Sequence, residues 1–127
     1  MPILDSDIEI VKAMFDTNAF TALTITQALA PLLIEAKGTI INIGSVGGEF
    51  ALTYSSAYNA SKAALRALSD TMRVKFMPFD VKVMTAITGI VRTQLFQISS
   101  LRCRTTRYRR LLRIRSRLSW MARSCWI

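Results

Sequence analysis

At 127 residues, 51% of them apolar, the chain has room for one domain and enough hydrophobic material for a core, which excludes a disordered or low-complexity protein. The formal net charge of +9 sits at one end: residues 1–100 carry eight basic and eight acidic side chains, whereas residues 101–127 carry nine arginines and no acid. There is no histidine, which excludes a Ser-His-Asp triad, a Cys-His pair and most zinc sites.

The N-terminal Met1-Pro2-Ile3-Leu4-Asp5-Ser6-Asp7 is acidic and short of apolar residues, so it does not read as a signal peptide, and a cytosolic protein is the default expectation. Ser6-Asp7-Ile8-Glu9 has the form of a capping box, in which the Ser6 hydroxyl accepts from the Glu9 amide. A helix should follow. Ile8, Val11, Phe15, Ala19 and Ala22 recur at the spacing of one buried stripe, and the pattern runs to about Ala36, with a kink expected at Pro31 and Gly38 as a left-handed cap. Residues 17–34 lack charge and approach the length of a membrane span. Their Thr17, Asn18, Thr21, Thr24, Thr26, Gln27 and Pro31 favour a buried or half-buried helix instead.

Thr39-Ile40-Ile41-Asn42-Ile43 is β-branched and nearly continuous in apolar character, as a strand covered on both faces would be. Gly44-Ser45-Val46-Gly47-Gly48 follows as a loop. A second helix is predicted from about Ser55 to Phe76, ended by Pro78, with Ala57, Ala60, Ala63, Ala64 and Ala67 allowing close packing. Val81–Ile87 reads as a second strand. The order helix, strand, helix, strand predicts an α/β fold with parallel strands.

Tyr58 and Lys62 stand four apart on the second helix and share a face. A free tyrosine has a pKa of about 10, and a neighbouring ammonium favours the phenolate, so such a pair suits general acid–base work near neutrality. Ser45 lies thirteen residues before Tyr58, on the loop leaving the C-terminal end of the first strand, the edge where open α/β sheets bind ligands. Its hydroxyl suits a substrate oxygen that gains or loses charge. Asn18 lies twenty-seven residues before Ser45, in a helix where asparagine is a poor choice by propensity. Each residue has a plainer reading: an interface aromatic, a solvated charge, a loop serine, a helix-bending amide. Their joint spacing and their placement at one sheet edge argue for the chemistry.

Asn42-Ile43-Gly44-Ser45-Val46-Gly47-Gly48, followed by Tyr58-Asn59-Ala60-Ser61-Lys62 and preceded by Asn18 within Phe15–Thr21, resembles the short-chain dehydrogenases/reductases over about residues 5–97. The resemblance implies a partial Rossmann-type parallel sheet, with two strands and two long helices of that fold. It implies an oxidoreductase that moves a hydride between NAD(P) and an alcohol or carbonyl. Tyr58 would transfer the proton, Lys62 would lower the tyrosine pKa and bind the nicotinamide ribose, Ser45 would orient the carbonyl and Asn18 would hold a relay water. Thr88-Gly89-Ile90-Val91-Arg92-Thr93 falls where the family usually has Pro-Gly-x-Val-x-Thr, so Gly89, Val91 and Thr93 join Tyr58 and Lys62 as cofactor-binding candidates. Thr88 in place of proline is a departure that resembles the fungal 1-acyldihydroxyacetone-phosphate reductase branch. This favours NADP over NAD and suggests a lipid-like carbonyl or alcohol as substrate. A homodimer through the two long helices is also implied.

The family's Thr-Gly-x-x-x-Gly-x-Gly turn, which receives the pyrophosphate at a helix N-terminus, has no counterpart here. By the family plan residues 1–97 are a truncated catalytic core, weakly active or inactive alone. Residues 98–127 form a separate arginine-rich tail, helical or disordered, holding both cysteines, Cys103 and Cys125, at no metal or disulfide spacing. The tail reads first as an out-of-frame continuation. Leu111, Ile114, Leu118 and Met121 also recur at helical spacing, which suits an anionic membrane surface, and the arginines suit nucleic-acid phosphates. The alternative function is therefore a non-catalytic basic membrane- or nucleic-acid-binding peptide.

Overall fold

The computed structural model describes residues 6–52 and 55–89. Val91, Thr93, the boundary at residue 97 and the basic tail lie outside them. Helix α1 (Ile8–Phe15) passes through a π-helical turn (Asp16–Phe20) into α2 (Thr21–Glu35). Strand β1 (Thr39–Ile43), a 3-10 turn (Val46–Gly48), helix α3 (Ser56–Phe76), a second 3-10 turn (Met77–Phe79) and strand β2 (Lys82–Ala86) follow. The strands pair in parallel, Thr39 opposite Lys82 through Ile43 opposite Ala86, as the element order predicts.

Two local expectations need correction. The first concerns the cap of α1, which is Asp7: its carboxylate accepts from the Glu9 amide at 2.9 Å, the bond expected of Ser6. A carboxylate there also faces the positive end of the helix dipole. Pro31 lies inside α2, and upstream of it the long helix carries a π-helical turn at Asp16–Phe20. The second concerns the end of α2, which closes with Gly38 donating to the Leu33 carbonyl (2.9 Å) and Lys37 to that of Ile34 (3.2 Å), a Schellman pattern whose left-handed residue is Lys37, at φ 48°, and not Gly38. Gly38 serves packing instead, since a Cβ there would stand 3.1 Å from Leu33 Cδ2.

The left-handed lysine gives a first prediction. Its ion pair with Asp80 (3.1 Å) is exposed at both ends and contributes little. Lys37→Gly should therefore raise stability by about 0.5–1 kcal/mol through relief of the left-handed backbone. An unchanged or lowered urea midpoint would contradict this.

Packing also departs from the sequence pattern. The stripe of α1 and the π turn is seen at Val11, Phe15, Ala19 and Ala22, but Ile8 is exposed. Helix α2 is mostly exposed, with Phe20 just before it and Ile25, Leu29 and Leu32 along it open to solvent; only Thr26 is buried there. β1 is covered on one face: Asn42 points into the protein, while Ile41 and Ile43, with Met84 of β2, lie on the open face. Among the described residues α3 is the only helix laid along the sheet, so one face has no cover.

The buried line of α3 is Ser61, Leu65, Ser69 and Met72, and the alanine side, with Ala60, Ala63 and Ala67, is exposed. Serine works here because it is small and bonds its own helix: Ser61 Oγ donates to the Tyr58 carbonyl (2.8 Å) and Ser69 Oγ to that of Leu65 (2.7 Å). Each hydroxyl can then still accept from a neighbour. Val81 and Val83 of the second strand segment complete this small core.

Candidate active site

The site forms where β1 ends. Gly44 donates to the Ala86 carbonyl (2.8 Å) and Val46 to that of Thr88 (3.0 Å), so pairing with the β2 segment continues past both strands. Ser45 lies between these two anchors in extended conformation, at φ −158° and ψ 150°. It caps the 3-10 turn: its Oγ accepts from the Gly47 amide at 3.2 Å. That bond uses a lone pair and leaves the hydroxyl proton available.

Glycine is required next. A Cβ on Gly48 would stand 3.0–3.1 Å from the Lys62 carbonyl group and the Ala63 nitrogen, so the loop lies directly on the α3 backbone. A Cβ on Gly47 would meet Asn59 Oδ1 at 2.9 Å and Tyr58 Cε1 at 3.2 Å. Gly47 is thus the point at which the Ser45 turn meets the tyrosine ring. Two further ties hold loop to helix, an Arg66–Glu49 ion pair and a 2.9 Å bond from Asn59 Nδ2 to the Leu52 carbonyl.

Tyr58 is half-buried, and among the described residues its hydroxyl has no hydrogen-bond partner. Lys62, one turn on, donates from Nζ to the carbonyl of Ile43, the last residue of β1, at 2.9 Å. The ammonium therefore stands at the C-terminal edge of the parallel strands, beside the residue pair that leads into Ser45.

Asn18 lies in the π-helical turn, a feature that helices often carry at functional sites. Its Nδ2 donates to Ser61 Oγ at 3.0 Å, and Ser61 in turn bonds the Tyr58 carbonyl. Asn18 is thereby joined to the helix that bears Tyr58 and Lys62. Its own carbonyl oxygen accepts no bond among the described residues. Ser61 was not singled out by the sequence; the signal was the spacing of Ser61 and Ser69 with Leu65 and Met72 along one helix face. The structure thus ties Lys62 to the end of β1, packs the Tyr58 ring on the turn that Ser45 caps, and joins Asn18 to the same helix through Ser61. Gly89 follows the same edge, with open space at its Cβ position.

A family model described as short chain dehydrogenase matches residues 1–102. The chain belongs to the short-chain dehydrogenase family. A short-chain dehydrogenase of Hypocrea virens is 45% identical over 97 residues, which is 76% of this chain and 34% of that protein. The NADPH-dependent 1-acyldihydroxyacetone phosphate reductase of Schizosaccharomyces pombe is 42% identical over 94 residues, or 74% of this chain and 32% of that one. A crystal structure of a short-chain dehydrogenase from Burkholderia cenocepacia in complex with NADP superposes with a TM-score of 0.72 at 29% identity, covering 77% of this chain and 42% of that one. The chain thus spans about a third of the length of these curated relatives. These short-chain dehydrogenase likenesses agree with the resemblance read from the Ser45, Tyr58 and Lys62 spacing, including its fungal reductase branch.

Proposed function

We propose that residues 6–89 carry the proton-transfer half of an NADP(H)-dependent oxidoreductase that interconverts an alcohol and a carbonyl. One observation carries the reading: the turn capped by the Ser45 hydroxyl packs on the ring of Tyr58, whose hydroxyl is unpartnered among the described residues, and the Lys62 ammonium one helical turn on is bonded to the last carbonyl of β1. In this reading Ser45 donates its free proton as a hydrogen bond to the substrate oxygen. Tyr58 gives a proton to that oxygen in reduction and takes it back in oxidation. Lys62 supplies positive charge beside the tyrosine and binds a ribose hydroxyl of the nucleotide. Asn18, held through its amide nitrogen by Ser61, keeps its carbonyl oxygen for a water of the proton path.

The nicotinamide nucleotide, when bound, supplies or accepts the hydride. The residues present suit its nicotinamide end, with a phenol and an ammonium on one helix face. They do not suit its pyrophosphate, because the Cβ directions of Gly44, Gly47 and Gly48 are filled by Thr85, Tyr58 and the α3 backbone, so none of the three leaves room for a phosphate. NADP(H) is preferred to NAD(H) in this proposal because of the NADPH-dependent relative and the NADP-bound neighbour. The same relative's name motivates a lipid-like carbonyl as a substrate to test.

The 127-residue chain is accordingly expected to bind NADPH more weakly than about 100 µM, or by less than about 5.5 kcal/mol. At millimolar NADPH it should still oxidise the nucleotide slowly in the presence of a ketone or aldehyde. Micromolar affinity in a calorimetric titration would overturn the first expectation. No carbonyl-dependent oxidation above the buffer rate would overturn the second. The alternative, a basic peptide that binds membranes or nucleic acid, rests on residues 98–127 alone, and deletion of that segment without effect on vesicle or RNA binding would remove it.

A further inference from the structure

We infer that Thr88 is a positioning residue for Ser45, a role that the family's usual proline at this place cannot fill. The inference rests on the reading of Ser45 as the group that orients the reacting oxygen. Two bonds carry it. Thr88 Oγ1 donates to the Gly44 carbonyl at 3.0 Å, and the Thr88 carbonyl accepts from the Val46 amide at 3.0 Å. Gly44 and Val46 are the two neighbours of Ser45, so one residue grips the chain immediately before and immediately after the serine.

The register explains why a hydroxyl is needed. Parallel pairing continues past the strands as Gly44 to Ala86 and Val46 to Thr88. The next ladder partner for the Gly44 carbonyl would be the amide of residue 88, and the Thr88 side chain takes that place. A proline has neither an amide proton nor a hydroxyl, and would leave this carbonyl without the bond. A Cβ on Gly44 would come within 3.0 Å of Thr85 Cγ2, so glycine there lets the two chains approach closely enough for the clasp. With both flanking peptides held, the extended Ser45 backbone presents Oγ to the Gly47 amide. Loss of the Thr88 hydroxyl should loosen the clasp at both flanking peptides, so that the Val46–Thr88 bond opens more often, while leaving the α3 core in place.

The test uses the full chain and compares the native protein with Thr88→Val, which keeps shape and removes the donor, and Thr88→Ser, which restores it. In hydrogen exchange, Thr88→Val should speed the Val46 and Gly47 amides about three- to tenfold, the span expected for one neutral hydrogen bond. Thr88→Ser should stay near the native rates, and the Leu65, Ser69 and Met72 amides should not change in either variant. In carbonyl-dependent NADPH oxidation, Thr88→Val should lower kcat by a similar factor with KM for NADPH unchanged, and Thr88→Ser should recover it. Native exchange at Val46 and Gly47 in Thr88→Val, equal acceleration across α3, or an unchanged kcat would each overturn the inference. Absence of turnover in the native chain would bring down the proposed activity, while the exchange rates would still decide the clasp.

Discussion

Tyr58→Phe should lower carbonyl-dependent NADPH oxidation by about 10²- to 10⁴-fold, the range that a positioned general acid or base supplies. The substitution removes one oxygen and keeps the ring. That ring packs against Gly47, and the hydroxyl has no protein partner among the described residues, so the fold has no bond to lose. Thermal unfolding of the variant should therefore match that of the native chain. A structural aromatic would give the opposite pair of results, with stability changed and turnover retained. Far-UV circular dichroism and an initial-rate assay at millimolar NADPH distinguish the two.

Gly48→Ala is the second large effect. The added methyl would stand 3.0–3.1 Å from Lys62 and Ala63 backbone atoms, which cannot swing aside as a side chain can. Forced overpacking of this kind costs about 1–3 kcal/mol, a large part of the 5–15 kcal/mol typical of a domain. The cost falls on the contact that seats the Ser45 loop on α3, so turnover should drop along with the melting temperature. Two other glycines calibrate the measurement. Gly47→Ala meets mainly the ends of the Asn59 and Tyr58 side chains and should cost less, and Gly89→Ala, with nothing within 4 Å, should be close to neutral. If the three variants unfold alike, the glycines of this loop do not act through close approach.

The elements legible in the sequence were those with a strong one-dimensional signal. The β-branched run of β1 and the stretch from Ser55 to Pro78 fix their own limits, because strand propensity and helix stops are local properties. The site was legible for a related reason: Ser45, Tyr58 and Lys62 sit on a strand end and one helix face, where spacing in sequence becomes spacing in three dimensions. What escaped was set by tertiary context. The apolar spacing of Phe15, Ala19 and Ala22 runs unbroken across Asp16–Phe20, so periodicity hid the π turn that bears Asn18. The alanines of α3 suggested a packing face, but the helix turns its back-bonded serines inward, where Ser61 meets Asn18 and Ser69 meets Asn42 at 2.8 Å. The cover expected on both faces of β1 depends on a second layer that residues 6–89 do not contain. At Lys37 the glycine one position later drew the left-handed assignment, although the hydrogen bonds of the closing turn place it on the lysine. Thr88 looked like a departure from a motif, and only its bond to Gly44 gives it a purpose.

In the proposed chemistry Ser45 and Tyr58 act on the same oxygen. Groups that act as a unit lose their effects together, so the rates of Ser45→Ala, Tyr58→Phe and the double variant decide the matter. Ser45→Ala alone should lose roughly 10²-fold, and the double variant should be no slower than Tyr58→Phe within about threefold. Losses that multiply in the double variant would mean that the serine and the tyrosine work independently, and the site described here would not be one site.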